Sequence, residues 1–171
     1  TAASGGGTDD LFNGGAVDIS GLELYLRRIL VDNGSMQVPL EISYTKTNTE
    51  FKESFDGFWG DVSSGDELPY IPETMVSANL GINLDATSVN LGLRHVSDMR
   101  TTAGSGSLTD SASTDALNLL DLGVDHTLKS NVTLSMGIKN LMDKDVVVAR
   151  RPYGARPTMP RTVTFGVNYN F

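Results

Sequence analysis

The sequence has no cysteine, few aromatic side chains and no long hydrophobic run. Without cysteine, neither disulfides nor thiolate metal sites can form. No apolar stretch approaches the roughly 20 residues that a membrane-spanning helix needs, which excludes a helical span. The opening stretch TAASGGGTDD also lacks the basic and apolar regions of a signal peptide. The lack of cysteine remains compatible with an exported protein.

Positive charge is scarce as well. Thirteen Lys and Arg against 21 Asp and Glu give a net charge of −8, which disfavours a nucleic-acid partner. No nucleophile elbow, phosphate loop or paired-carboxylate motif is present, so we expect neither enzymatic activity nor a cofactor. His95 near Asp98 and His126 beside Asp125 lack metal-ligand spacing, and we expect no metal site.

Strict alternation of apolar and polar residues dominates the rest of the chain. In the closing RTVTFGVNYNF, Val163, Phe165, Val167 and Tyr169 fall on one face of an extended segment, opposite Thr, Gly and Asn. About seven segments show this pattern: AVDISGLELYLRRIL, PLEISYTKTNTEF, TMVSANLGINL, SVNLGLRHV, LLDLGVDHTL, VTLSMGIKN and TVTFGVNYNF. The period of two predicts an all-β fold.

The connections between these segments differ in length. Those near LDAT and LKSN are tight, whereas residues 52–73, 98–114 and 141–161 are long and rich in Gly, Ser, Pro or charge. An antiparallel meander with tight turns at one rim and long loops at the other is typical of an outer-membrane barrel. The polar positions carry mainly Thr, Asn, Ser and Gly, which suits a wetted lumen behind a lipid-facing wall. A soluble β-sandwich or a lipocalin-like barrel is the alternative, with the apolar face inside.

Several motifs bear a more specific resemblance. LPYIPETMVSANLGI at 68–82, MGIKNLMDKDVVV at 136–148, GARPTMPRTVTFGVNYNF at 154–171 and the Gly-x-Glu of Gly21 and Glu23 resemble the C-terminal part of a TonB-dependent outer-membrane receptor of the ferric-citrate or ferric-siderophore type. Asn140, Leu141, Asp143 and Lys144 match the family's Asn-Leu-Phe-Asp-Lys stretch, with Met142 in place of the aromatic residue.

The resemblance implies a seven-strand segment of a 22-stranded transmembrane β-barrel that closes around a plug. Residues 16–171 would supply C-terminal strands, and residues 1–15 would be the remnant of an extracellular loop. The plug and the energy-coupling box have no counterpart here. Since an open sheet edge in lipid is costly, we expect the remaining strands on another polypeptide or elsewhere in the same one.

The implied function is uptake of an iron chelate, a siderophore or a similar scarce nutrient across the outer membrane of a Gram-negative bacterium. The implied partners are the other strands and the plug, the TonB energy-coupling complex, the barrel-assembly machinery, lipopolysaccharide and the ligand. The C-terminus would lie on the periplasmic side, with Phe171 serving membrane assembly. A split or truncated barrel that scaffolds other outer-membrane components is the alternative function.

Candidate site residues fall into two groups. In the exterior loops, Arg150, Arg151, Tyr153, Arg156, Trp59 and Tyr70 could contact an anionic chelate, because guanidinium groups pair with carboxylates. Alternatively, the arginines meet lipopolysaccharide phosphates or nearby Asp residues, and the aromatic residues pack in loops or a membrane belt. The second group, Glu23, Arg27, Arg94 and Asp121, faces the lumen by alternation. These four could contact a plug or form cross-strand ion pairs.

Overall fold

Seven long strands form one antiparallel sheet. The computed structural model describes residues 15–57, 60–129, 131–151 and 154–169. The long strands are β1 (Val17–Asp32), β2 (Met36–Phe51), β5 (Thr74–Leu84), β6 (Thr87–Val96), β7 (Leu117–Lys129), β8 (Val132–Lys139) and β11 (Thr162–Tyr169). Their order in the sheet is β1-β2-β5-β6-β7-β8-β11, so each long strand pairs with the long strand that follows it along the chain. The predicted all-β meander of seven strands is confirmed.

In the described parts of the connections, four short strands and one turn of 3₁₀ helix are present. β3 (Phe55–Gly57) pairs with β4 (Gly60–Val62), and β9 (Val147–Ala149) pairs with β10 (Arg156–Pro157). The 3₁₀ turn is Asp110–Ala112. No helix in the described ranges is long and apolar enough to cross a membrane.

The connections alternate between short and long, as expected. Tight turns join β1 to β2, β5 to β6 and β7 to β8, and three long loops join β2 to β5, β6 to β7 and β8 to β11. We call these loops the first (52–73), second (97–116) and third (140–161) long loop. In the turn after β1, the side-chain oxygen of Asn33 accepts hydrogen bonds from the amides of Ser35 (3.3 Å) and Met36 (2.9 Å). Gly34 takes a φ of 87°, which glycine adopts at little cost.

The register keeps apolar side chains together on one face of the sheet. A single row of cross-strand partners runs from β2 to β11 through Leu40, Leu80, Leu91, Leu122, Ile138 and Val163. We call this side the apolar face. The row of Arg27, Glu41, Asn79, Gly92 and Asp121 runs across the other side, which we call the polar face. Met75, Val96 and Leu117 interrupt the polar face near the long loops.

The buried side chains of the described residues lie at the loop ends of the strands and not between two sheets. They are Phe51, Val62, Asp66, Thr101, Ser113, Thr114 and Asn140. In contrast, Phe165 and Val167 on the apolar face are 80% and 73% exposed. A soluble β-sandwich would bury this face against a second sheet, and the described residues provide no such layer. The packed region of the described residues therefore lies in the long loops, at one end of the strands.

Candidate functional site

The three long loops meet at one rim of the sheet and are joined there by hydrogen bonds. The hydroxyl of Tyr70 in the first loop accepts a hydrogen bond from the backbone amide of Arg150 in the third, at 3.2 Å. The Nε of Arg150 donates to the carbonyl oxygen of Ser113 in the second loop, at 2.5 Å. The amide of Tyr70 donates to the carbonyl of Arg100 at 2.8 Å. Two of the predicted ligand residues thus contact each other and the second loop.

The other arginines of the third loop lie apart from this contact. Arg151 is half-buried, and Arg156 is exposed on β10. Arg161 donates its amide to the Asp143 carboxylate (2.9 Å), and its guanidinium lies 3.7 Å from the same carboxylate. Of the remaining predicted residues, Trp59, Tyr153 and Phe171 lie outside the described residues.

An open cleft of about 570 Å³ lies between the loop ends of β1 and β2 and the first two long loops. Its lining includes five carboxylates, Asp18, Glu50, Glu67, Glu73 and Asp98, together with Arg100. Of the predicted ligand residues that the structure describes, Tyr70, Arg150, Arg151 and Arg156, none lines it. Sequence reasoning missed this cleft because its carboxylates are scattered over 81 positions and share no spacing pattern.

Three carboxylates of the cleft form ion pairs with lysine or arginine side chains nearby. The Nε of Arg100 lies 2.7 Å from Glu67, and Lys46 lies 3.2 Å from Glu73. Lys52 pairs with Glu50 at 3.1 Å. The hydrogen bond that the Lys52 amine donates to the Glu50 carboxylate, together with the negative charge of Glu50, raises the pKa of Lys52 above its usual value. Within the described part of the chain, no three acidic or imidazole side chains come together as a metal site.

The two histidines bond to neutral side chains on neighbouring strands. Nδ1 of His95 lies 2.8 Å from the side-chain oxygen of Asn118, and Nδ1 of His126 lies 2.8 Å from the hydroxyl of Thr87. These contacts give each imidazole a local hydrogen-bond partner. The geometry around both residues is that of cross-strand pairing.

The four residues assigned to the lumen all lie on the polar face. Arg27 pairs with Glu41 across β1 and β2 at 3.1 Å, and Lys139 pairs with Asp121 across β8 and β7 at 3.1 Å. Glu23 lies opposite Thr45, and Arg94 lies opposite Ser77 and Leu119. Cross-strand ion pairs therefore account for Arg27 and Asp121 within the sheet.

Asn140, at the end of β8, is a structural residue whose role the sequence did not reveal. Its side chain is 3% exposed and bonds to both ends of the third loop. Its amide group donates to the carbonyls of Lys144 (2.9 Å) and Met159 (2.8 Å), and its side-chain oxygen accepts from the amide of Lys144 (2.9 Å). The Asn-Leu-x-Asp-Lys stretch therefore shapes the loop.

Comparison with known proteins gives a family and several structural matches. The sequence profile of the family "TonB dependent receptor-like, beta-barrel" matches residues 1–141. No curated protein sequence matches the chain.

Among solved structures, the siderophore receptor PiuA from Acinetobacter baumannii matches with a TM-score of 0.70 at 18% identity, covering 90% of this chain and 22% of that one. The open form of the ferric-catecholate import receptor Fiu from E. coli K12 matches with 0.67 at 23%, covering 91% and 21%. The ferric yersiniabactin uptake receptor FyuA from Yersinia pestis matches with 0.66 at 18%, covering 93% and 24%.

These matches agree with the sheet described above. The chain spans about a fifth to a quarter of the length of these receptors, and the TM-scores of 0.66–0.70 show a common fold. The seven strands form a segment of such a transmembrane barrel, and a total of 22 strands is consistent with the family. The family and these solved structures are receptors and not enzymes. The chain belongs to the TonB-dependent receptors, and its strands are part of their β-barrel domain.

Proposed function

We propose that this chain is part of an outer-membrane receptor that takes up an iron chelate, a siderophore or a similar scarce nutrient, with energy supplied through TonB. The observation that carries the proposal is the sheet itself: one face is apolar and the other polar across seven strands of a TonB-dependent receptor barrel. The solved receptors of similar fold include ones named for siderophore and ferric-chelate import. That shared naming supports an iron chelate as the first ligand class to test.

The proposed orientation places the long loops outside the cell and the C-terminus in the periplasm. Outer-membrane barrels have short periplasmic turns and long extracellular loops. Tyr169 near the end of β11 pairs with Val132, next to a tight turn, which supports a periplasmic C-terminus. In this proposal Phe171 would serve membrane assembly. β1 begins opposite Phe51 at the long-loop rim, which supports an extracellular location for residues 1–15.

The proposed partners follow from the two faces and the rims. The remaining barrel strands, in the same or a separate chain, would complete the wall beside β1 and β11. The plug would lie against the polar face, with Glu23, Arg27, Arg94 and Asp121 among the residues that it meets. The TonB complex would act through that plug. The barrel-assembly machinery would insert the strands, and lipopolysaccharide would surround the long-loop rim.

The proposed ligand contacts in the loops are Arg151, Arg156, Tyr153 and Trp59. The exposure of Arg156 supports this role, because a guanidinium in solvent can pair with a chelate carboxylate. The contacts of Arg150 and Tyr70 favour a role in loop packing for these two residues. Arg156→Gln, with Lys144→Gln as a control for charge in the same loop, would separate specific contact from general attraction.

The experiment that tests the proposal is uptake of ⁵⁵Fe in the bacterium that carries this gene. Ferric citrate and a ferric catecholate are the two probes, and wild-type, deletion and complemented cells are compared with and without a protonophore. We expect the deletion to abolish protonophore-sensitive uptake of one probe, and complementation to restore it. Unchanged uptake of both probes would contradict the iron-chelate proposal. Co-purification with unrelated surface proteins, without a plug-bearing chain, would instead support the scaffold alternative.

A further inference from the structure

The three long loops meet around Tyr70 and Arg150, where a direct hydrogen bond joins each loop to each of the other two. Tyr70, Ser113 and Arg150 come from the first, second and third loops, and they are separated by up to 80 positions in sequence. The guanidinium of Arg150 bonds to Ser113, the amide of Arg150 bonds to the Tyr70 hydroxyl, and the amide of Tyr70 bonds to Arg100. We call Tyr70, Arg100, Ser113 and Arg150 the loop tie.

The backbone of Tyr70 adopts an unfavourable conformation within this tie. Its φ is 60°, which is rare for an aromatic residue and costs about 1–2 kcal/mol. Such a conformation persists where the surrounding contacts fix it. Both the amide and the hydroxyl of Tyr70 are bonded to other loops, so the strain is held in place from both ends of the residue.

Further bonds between the loops surround the tie. The amide of Asp115 donates to the carbonyl of Val147 at 2.8 Å, and the amide of Val147 donates to the Asp115 carboxylate at 2.7 Å. Glu67 and Gly104 form an isolated β-bridge between the first and second loops. Ser113 is 8% exposed, and hydrogen bonds shielded from water are stronger than exposed ones.

We infer that the loop tie makes the described parts of the three long loops one rigid body, so that any displacement of one of them carries the other two. Arg150 and Tyr70 are positioning residues in this body. The guanidinium of Arg150 bonds to the backbone carbonyl of Ser113. Arg150 would therefore affect ligand binding only indirectly, by fixing the positions of the loops. This inference concerns the mechanics of the loops and holds whichever ligand the receptor takes.

The test is peptide-resolved hydrogen exchange on the protein purified from outer membranes in detergent. Arg150→Gln removes the bond to Ser113, and Tyr70→Phe removes the hydroxyl while it keeps the ring. Each variant should exchange about tenfold faster in all three loops, because one hydrogen bond of this kind contributes roughly tenfold to the opening equilibrium. The peptides to follow are those that contain the amides of Glu67 in the first loop, Thr101 in the second and Val147 in the third.

The control is Arg156→Gln, which removes the same charge from an exposed position of the same loop. It should leave exchange in the first and second loops unchanged. Faster exchange confined to the loop that carries the substitution would overturn the inference, as would an equal spread from the Arg156 control. Equal acceleration in the middle of β6 and β7 would also overturn it, because the whole sheet would then be loosened. If Arg150→Gln does not assemble, Tyr70→Phe alone decides between these outcomes.

Discussion

Asn140 provides the sharpest test of how the third long loop is held. Its buried side chain makes three hydrogen bonds, two to Lys144 and one to Met159, and its φ of 52° lies in the left-handed region. Asn140→Ala removes the three bonds, each of which contributes about 1 kcal/mol. It also places alanine at a left-handed φ that asparagine tolerates better, which costs about 1 kcal/mol more. We therefore expect the base of the loop to open more easily by about 3–4 kcal/mol.

Two further substitutions separate these contributions. Asn140→Gly loses the same bonds but accepts the positive φ, so it should cost about 1 kcal/mol less than alanine. Asn140→Asp keeps the acceptor for the amide of Lys144 but turns a carboxylate toward the carbonyls of Lys144 and Met159. Asn140→Asp loses both N–H donors and places a negative carboxylate beside two carbonyl oxygens. The loop base should therefore open at least as easily in Asn140→Asp as in Asn140→Ala.

Hydrogen exchange at the amide of Lys144 measures this opening directly. A loss of about 3 kcal/mol corresponds to exchange faster by about a hundredfold, and amides in the middle of β8 should not change. Less than a threefold change in Asn140→Ala would refute the reasoning. Wild-type protection in Asn140→Asp would show that the bonds to the two carbonyls do not hold the loop.

The two faces of the sheet and one glycine allow two more predictions. Met136→Lys places an ammonium on the apolar face and should destabilise the folded barrel by about 2–4 kcal/mol, seen as a lower temperature for loss of the folded band in electrophoresis. Ser135→Lys places the same group on the polar face, opposite Asp125, and should leave the stability of the barrel unchanged. An equal loss of stability in the two variants would contradict the assignment of the faces. Gly21→Ala brings a Cβ against a backbone oxygen of β2 and should cost about 1–3 kcal/mol in the same assay. In Gly123→Ala the added Cβ would meet its nearest atom, the Cβ of Asn90, at 3.9 Å, so the stability should change by no more than about 0.5 kcal/mol. A loss as large as that of Gly21→Ala would exclude the steric explanation.

The sequence predicted the seven long strands because each one alternates over at least three apolar positions. The segment TMVSANLGINL coincides with β5 (Thr74–Leu84) for this reason. The pairs β3 with β4 and β9 with β10 were not predicted, since strands of two or three residues are too short to show a period. Their pairing is set by contacts within the loops.

The arrangement of the loops could not be predicted in the same way. Arg150 was selected for its charge, but its partner is the backbone carbonyl of Ser113, and any residue type carries that group. Tyr70 was selected as an aromatic residue, but its hydroxyl and its backbone conformation define its place. These contacts depend on how three loops far apart in sequence meet in space. Composition and spacing contain no record of that meeting.

The residues that carried the family resemblance are set by backbone geometry. At Gly21 there is no space for a Cβ beside β2, and Asn140 combines a left-handed φ with three bonds to backbone atoms. Neither requirement involves a ligand, because both concern how a strand pairs or how a loop begins. A match at such positions therefore identifies the barrel and carries no information about a ligand. Under the proposed function, ligand choice would depend instead on exposed side chains such as that of Arg156.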